Sequence, residues 1–315
     1  MRAVVFGYHD IGYVCLQELL AAGAEVCAVL THEDDPGEEI WFRSVRQLAE
    51  SHRIPVFAPA GVNTPEWIAR VREWAPDFIF SFYYRKLLGT ELLRIPRRGA
   101  LNLHGSLLPK YRGRCPVNWV LVHGERETGV TLHYMEEKPD RGDIVAQRVV
   151  AIDDDDTALT LFRKLTVAAA ELMRATYPLL HDGRAPRIPQ DQRLASYFGG
   201  RGPDDGKIDW ARDAATIRNL VRAVTHPYPG AFTLWQGRKL LIWEVQRIET
   251  SASNAPAGCV LSIGSQTVPG VADGVVVQTG AGALRIVRAQ LEGDAERPAS
   301  ECAQRHRITQ GAILT

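Results

Sequence analysis

MRAVVFGYHDIGYVCLQELLAAGAEVCAVLT (residues 1–31) decides the fold class. Its opening, MRAVVFG, is a short apolar run that ends in glycine. Ile11, Val14, Cys15, Leu19 and Ala22 then recur at helical spacing, and Gly23 stops the pattern. AEVCAVLT (24–31) is a second apolar run of strand length. The alternation continues. Residues 38–52 read as a helix with Ile40, Val45, Leu48 and Ala49 on one side, and PVFAP (55–59) as a short third strand. Thr64-Pro65-Glu66 is a helix start, with a hydroxyl cap and a proline where its missing N–H costs nothing. Trp67, Ile68, Val71 and Trp74 follow on one face; DFIFSFYY (77–84) and GALNLHG (99–105) are two more strands. Strand and helix in turn predict an α/β fold with a doubly wound, Rossmann-like, mostly parallel sheet.

Further strands are expected at GVTLHYM (129–135) and DIVAQRVVAI (143–152). Asp156 or Thr157 then caps a long helix running to about Leu180. Its buried face carries Ala158, Leu161, Phe162, Leu165, Ala168, Ala169, Leu172 and Met173. A polar, Gly- and Pro-containing loop covers about 182–206, and a helix follows at about 213–225. Beyond it the period changes. AFTLW, KLLIWEVQRI, GCVLSIG, GVVVQTG and ALRIVRAQ are short apolar runs punctuated by glycine within 230–296, the pattern of a smaller C-terminal β-barrel, OB-like in scale. The expected division is a catalytic domain at 1–190, a linker at 191–206 and a barrel at 207–315.

At 315 residues, with 45% apolar and 23% charged residues, the chain fits a two-domain globular protein and excludes disordered, collagen-like and coiled-coil classes. No run approaches the ~18 apolar residues of a membrane helix. His9 and Asp10 interrupt the N-terminus too early for a secretory signal. Lys plus Arg and Asp plus Glu both number 37, so the chain lacks the basic excess typical of nucleic-acid binders. The five cysteines are widely spaced, with no CxxC pair, which suits free thiols in the cytoplasm.

Several common chemistries fail on spacing. The turn Gly7-Tyr8-His9-Asp10-Ile11-Gly12 lacks the second glycine of GxGxxG, and Asp10 would repel a pyrophosphate, so no NAD is expected. There is no GxxxxGK[ST], HExxH or GxSxG, and no zinc-site spacing. The run Asp153 to Asp156 reads as a solvated turn before a helix rather than a metal cluster.

The chemistry concentrates in ALNLHGSLLPKYRGRCP (100–116). Strand alternation puts Asn102 and His104 on one face, near the C-terminal end of a strand where open α/β sheets hold ligands. Lys110, Arg112 and Arg114 follow within five residues, on an expected loop. In ETGVTLHYMEEKPDRGD (127–143), Asp140 sits in a turn between two strands. Alone, each of these is an ordinary surface or turn feature.

Together these segments resemble the 10-formyltetrahydrofolate-dependent formyltransferases, a group that includes methionyl-tRNA formyltransferase and the sugar-nucleotide N-formyltransferases. Asp209-Trp210 and IRNLVRAVTHPYPGAF (217–232) extend the resemblance over most of the chain. VVFGYHDIG, LTHEDDPGEE, FIFSFYYRKL and NLHGSLLPKYRGR make it strongest toward the formyltransferase half of bifunctional polymyxin-resistance proteins of the ArnA type. Those enzymes formylate UDP-4-amino-4-deoxy-L-arabinose for lipid A modification. The sequence shows no second, decarboxylating half and reads as a stand-alone formyltransferase. The resemblance implies catalytic roles for Asn102, His104 and Asp140. It implies folate contacts at Lys86, Leu87, Leu88, Arg114 and Glu136-Glu137-Lys138-Pro139-Asp140.

Formyl transfer needs an oxyanion donor, a proton carrier and a group that holds the carrier. Asn102 suits the first role, His104 the second, and Asp140 would orient the imidazole and favour its charged form. Leu87 and Leu88 would wall a pterin, and Arg114 would meet a carboxylate or an intermediate oxygen. His9, Asp10, Lys110, Tyr111, Arg112 and Arg201 are candidate sugar-nucleotide contacts, Tyr111 by stacking on a base. The expected partners are folate and a nucleotide-linked amino sugar, without nucleic acid, metal or membrane insertion, on a monomer or homodimer. Three alternatives stay open, the first a formyltransferase for another nucleotide-linked amino sugar. A methionyl-tRNA formyltransferase should carry a basic loop after the second strand; here that loop is acidic, His32-Glu33-Asp34-Asp35-Pro36-Gly37-Glu38-Glu39. A non-enzymatic nucleotide-binding module would have no use for the three polar groups together.

Overall fold

A computed structural model describes residues 1–37, 39–248, 254–264 and 273–315. Glu38, part of the expected acidic loop and the first residue of the expected second helix, lies outside these. So do 249–253 and 265–272, within the expected run of C-terminal strands. In chain order the elements are β1 (Arg2–Gly7), α1 (His9–Ala21), β2 (Glu25–Leu30), α2 (Val45–Ser51), β3 (Val56–Phe57), α3 (Pro65–Glu73), β4 (Phe78–Phe82), α4 (Thr90–Leu93) and β5 (Gly99–His104). They continue with β6 (Arg112–Gly113), α5 (Pro116–Val122), β7 (Glu127–Tyr134), β8 (Ile144–Ala151), α6 (Ala158–His181), β9 (Tyr197–Phe198) and α7 (Ala214–Val224). The last are β10 (Ala231–Trp235), β11 (Arg238–Ile248), β12 (Val260–Ile263), β13 (Val275–Gln278), β14 (Ala283–Leu291), β15 (Arg297–Pro298) and α8 (Ala299–Arg305).

The chain divides into two compact units. One holds 1–116, 126–152 and 161–199; the other holds 117–125, 153–160 and 200–315. The sequence suggests a single cut near 190–206, whereas two short segments from the first half also belong with the second unit.

The first unit is built on a seven-stranded sheet in the order β3-β2-β1-β4-β5-β7-β8. The pairs from β3 through β5 are parallel, and β7 and β8 join antiparallel. Every residue of β4 is buried, as its unbroken FIFSF run requires of a central parallel strand. Strand order reverses between β1 and β4, which opens a crevice beyond their C-terminal ends. The expected hydroxyl cap on α3 is present: Trp67 N–H donates to Thr64 Oγ1, with Pro65 in the first turn. The second helix is shorter than its apolar spacing suggests. It starts only after Ser44, whose hydroxyl accepts Gln47 N–H, and Ile40 is exposed. Trp41 and Phe42 explain the difference. Both pack on the His9 ring, and Trp41 also meets Phe162, so the segment before Ser44 follows side-chain packing and not a helical path.

The second unit carries an antiparallel sheet in the order β10-β11-β14-β13-β12, with β15 beside β14. Its two edges are joined by the segment 311–315. Val260 N–H donates to the Ala312 carbonyl and Leu314 N–H to the Gly258 carbonyl, while Thr315 exchanges backbone hydrogen bonds with Leu234 of β10. Among the described residues, this segment bridges β10 and β12 and closes the sheet as a small barrel. Leu240, Val275, Ile286, Ala289, Cys302 and Leu314 are buried inside it.

Candidate active site

β5 delivers two side chains to the C-terminal end of the sheet. Asn102 is half-buried and His104 is 7% exposed. β7 runs antiparallel beside them, with His133 opposite Asn102 and Thr131 opposite His104. Thr131 ties down the following loop: its hydroxyl donates to the Ser106 carbonyl at 2.6 Å and accepts Leu108 N–H at 3.1 Å. At the end of the loop Tyr111 takes the left-handed conformation, with φ 58°. Its N–H donates to Ser196 Oγ at 2.9 Å. Its carbonyl oxygen faces His104 Nε2 at 2.8 Å and accepts from Ser106 Oγ at 3.3 Å. A carbonyl can only accept, so His104 Nε2 carries a proton.

Asp140 reaches the same place from the turn between β7 and β8, at φ 59°. Its Oδ2 accepts Gly113 N–H at 2.9 Å. Its Oδ1 lies 3.7 Å from His104 Nδ1 and 3.6 Å from His133 Nε2. The structure thus brings Asn102, His104 and Asp140 together. The imidazole of His104 is hydrogen-bonded by the Tyr111 carbonyl, with Asp140 at ion-pair distance. Burial alone would raise the Asp140 pKa, but the charge of His104, the adjacent His133 side chain and the Gly113 N–H outweigh it and hold the carboxyl far below its usual range. The stability this carboxylate contributes is therefore complete above the unfolded carboxylate value of about 3.9 and is lost as pH falls below it toward the depressed folded value. Denaturant midpoints of the wild type and Asp140→Asn should differ at pH 7 and draw together in acid; a constant gap would contradict this.

The basic loop corrects two expectations. Arg112 is wholly buried, so it is not available to a diphosphate. Its Nη2 donates to Gln190 Oε1 at 2.6 Å, Nε to the same oxygen at 3.2 Å, and Nη1 to Gln192 Oε1 at 2.9 Å. No carboxylate is among these partners. Gln190 faces two ways: its amide nitrogen donates to the carbonyls of Asp140 at 3.0 Å and Gly142 at 2.7 Å. Arg112 therefore braces the Asp140 turn through one amide. Tyr111 is not open to a nucleobase either. It is 7% exposed and stacks on Phe198, with ring centroids 5.0 Å apart. β6 pairs with β9, so residues 191–198, expected as linker, are part of the site's frame together with Gln190.

The remaining candidates scatter. Lys86 Nζ donates to the carbonyls of Pro59 and Ala60. Leu87 is 71% exposed, while Leu88 is buried in the core with Val62 and Leu92, so only Leu87 can face a ligand with its side chain. Arg114 and Glu136 to Pro139 are exposed around the Asp140 turn, and Lys110 is exposed on its loop. His9 and Asp10 lie at the C-terminal end of β1; His9 stacks on Phe42 and Asp10 pairs with Arg43 at 2.7 Å. Arg201 belongs to the second unit, its guanidinium over Trp119. The loop after β2 is partly neutralised: Glu33 pairs with Arg46, and Asp34 accepts from Tyr8 OH. His133 escaped the motif reading. Its signal was the pairing of two strands: laid antiparallel, NLH and LHY set it against Asn102.

The chain belongs to the formyl transferase family. The Formyl transferase model matches residues 1–176 and the model of its C-terminal domain matches 202–307. Its structure is similar to the N-formyltransferase of Helicobacter canadensis, solved with folinic acid and dTDP-3-aminofucose: TM-score 0.70, 20% identity, 92% of this chain and 98% of that one covered. WlaRD, a sugar 3N-formyltransferase solved with dTDP and 5-N-formyl-THF, gives TM-score 0.65 and 19% identity over 94% and 99%. Methionyl-tRNA formyltransferase of Clostridium thermocellum gives 0.55 and 15% over 78% and 93%. At these identities the likeness is one of fold. Among the described residues no three metal-ligating side chains cluster, and no helix is long and apolar enough to cross a membrane.

Proposed function

We propose that this formyltransferase moves the formyl group of 10-formyltetrahydrofolate to the 4-amino group of UDP-4-amino-4-deoxy-L-arabinose, a step toward lipid A modification. One observation carries the reading: a carboxamide, an imidazole and an ionised carboxylate meet at the C-terminal end of β5. Bound folate supplies the formyl carbon, whose bond to the folate nitrogen breaks as the bond to the sugar nitrogen forms. Asn102 donates an N–H to the oxygen that becomes negative, an interaction whose loss typically costs about 2.7–4 kcal/mol of barrier. His104, with Nε2 held by a carbonyl, exchanges a proton at Nδ1, taking it from the sugar amine and returning it to the departing nitrogen. Asp140, 3.7 Å from that nitrogen, orients the ring.

The residues fit a folate. The main chain at 86–89 is pinned, because Asn63 donates to the Leu87 carbonyl and accepts Gly89 N–H, and Lys86 reaches across to Pro59 and Ala60. Leu87 is thereby presented as a fixed apolar face for a flat ring. Arg114 and the 136–139 rim are open to its polar parts. Among the sugar-nucleotide candidates, Lys110, His9 and Asp10 remain in the proposal. The acidic character of the loop after β2 favours a small substrate over an RNA backbone.

The purified chain, given 10-formyltetrahydrofolate, should formylate UDP-4-amino-4-deoxy-L-arabinose faster than dTDP-linked 3-amino sugars. Preference for a dTDP sugar would move the assignment to another nucleotide-linked amino sugar. Turnover with charged initiator tRNA and with no sugar would make it a methionyl-tRNA formyltransferase.

A further inference from the structure

We infer that His133 fixes the orientation of the Asn102 carboxamide and is a positioning residue for formyl transfer; the kinetic part of this inference rests on the reading above. His133 is 1% exposed and stands opposite Asn102 in the antiparallel pair of β5 and β7. Its two ring nitrogens meet different partners. Nδ1 lies 2.8 Å from the Tyr134 carbonyl oxygen, which can only accept, so Nδ1 carries a proton. Nε2 lies 3.2 Å from Asn102 Nδ2, and an amide nitrogen can only donate. Nε2 is therefore the bare nitrogen of a neutral ring, and it accepts one of the two Asn102 N–H bonds.

This contact decides which end of the carboxamide faces the reaction. With one N–H held by His133, the nitrogen end of Asn102 stays toward that ring, and its second N–H remains for a developing oxyanion. A ring with a second proton at Nε2 would set N–H against N–H. The carboxamide would then turn, placing an oxygen where the donor had been. The charged and titratable groups facing His133 define this balance. Asn102 holds Nε2 as an acceptor. The Asp140 carboxylate, 3.6 Å from Nε2, pulls the other way, toward the protonated ring. His104, 3.7 Å from the same carboxylate oxygen, competes for that charge. A histidine buried only for packing would carry no such constraint on its tautomer.

Two measurements test this. Nitrogen-15 spectra of the histidine-labelled enzyme near neutral pH should show His133 with a protonated Nδ1 and an unprotonated Nε2, assigned by loss of its signals in His133→Gln. A protonated Nε2 in the resting enzyme would overturn the inference whether or not any substrate turns over. In kinetics, His133→Leu, which offers no acceptor, should lower kcat by about 10- to 100-fold, less than outright loss of an oxyanion donor, with KM for the formyl donor nearly unchanged. His133→Gln can present an amide oxygen and should recover most of that loss. Equal kcat in the wild type and His133→Leu, or an equal loss in both variants, would overturn the positioning role. An enzyme inactive on every amine, yet with the expected nitrogen spectrum, would refute the functional reading and leave the orientation standing.

Discussion

Asp140→Asn should lower kcat by about 10²–10⁴-fold, the range for removing a group that supports acid–base catalysis, while the formyl donor still binds. Asparagine tolerates the left-handed backbone that Asp140 adopts at φ 59°, so the turn should survive. The charge would not. Oδ1 lies 3.7 Å from one imidazole and 3.6 Å from the other, and a neutral amide there sets no negative charge beside either ring. One of its two ends would also present N–H groups to Gly113 N–H or to the histidines. Asn102→Ala and His104→Ala should show the same pattern of a large fall in kcat with smaller changes in binding. Losses in the triple variant should be far from additive, because the groups act as one unit. Turnover by Asp140→Asn near the wild-type rate, in stopped-flow measurement of folate release, would remove the carboxylate from the mechanism.

Gln190→Leu should cost about 3–5 kcal/mol of stability, the usual result of leaving a buried charge without its partner. Arg112 would lose the oxygen that takes two of its N–H bonds, and the carbonyls of Asp140 and Gly142 would lose their donor. Gln190→Glu separates the two effects. A carboxylate should pair with the guanidinium at least as well as the amide does, so much of the stability should return. It cannot donate to the two carbonyls, however, and would repel them. The Glu variant should therefore unfold near the wild-type denaturant midpoint yet turn over slowly. If it is fully active, the turn needs no brace; if it is as unstable as the Leu variant, the pairing with Arg112 is not what Gln190 contributes.

Much of this was legible in the residues. The period of the apolar positions placed the strands of the seven-stranded sheet and the long helix α6, because burial on both faces of a parallel sheet leaves few alternatives. Asn102 and His104 were readable as a pair because strand alternation alone puts them on one face. Asp140 could not be linked to them by spacing: its place depends on a turn anchored by Gly113 N–H and Gln190, from two other segments. The buried state of Arg112 and Tyr111 was hidden for a related reason. Arg112 looks solvated among the cations of its loop until its acceptors, Gln190 and Gln192, are brought beside it. Trp41 and Phe42 show the limit from another side, since packing on His9 overrode a helical pattern of apolar residues.

The brace also bears on how such enzymes can be cut and recombined. The two family matches stop at residue 176 and resume at 202, so a chimera designed from them would treat the stretch between as a free spacer. That stretch contains Gln190 and Gln192, which hold the Arg112 guanidinium, and Ser196 and Phe198, which hold the Tyr111 N–H and ring. Exchanging it along with a donor's C-terminal module would graft a foreign clasp onto this sheet. A junction placed after Gly199 keeps lock and key from the same parent.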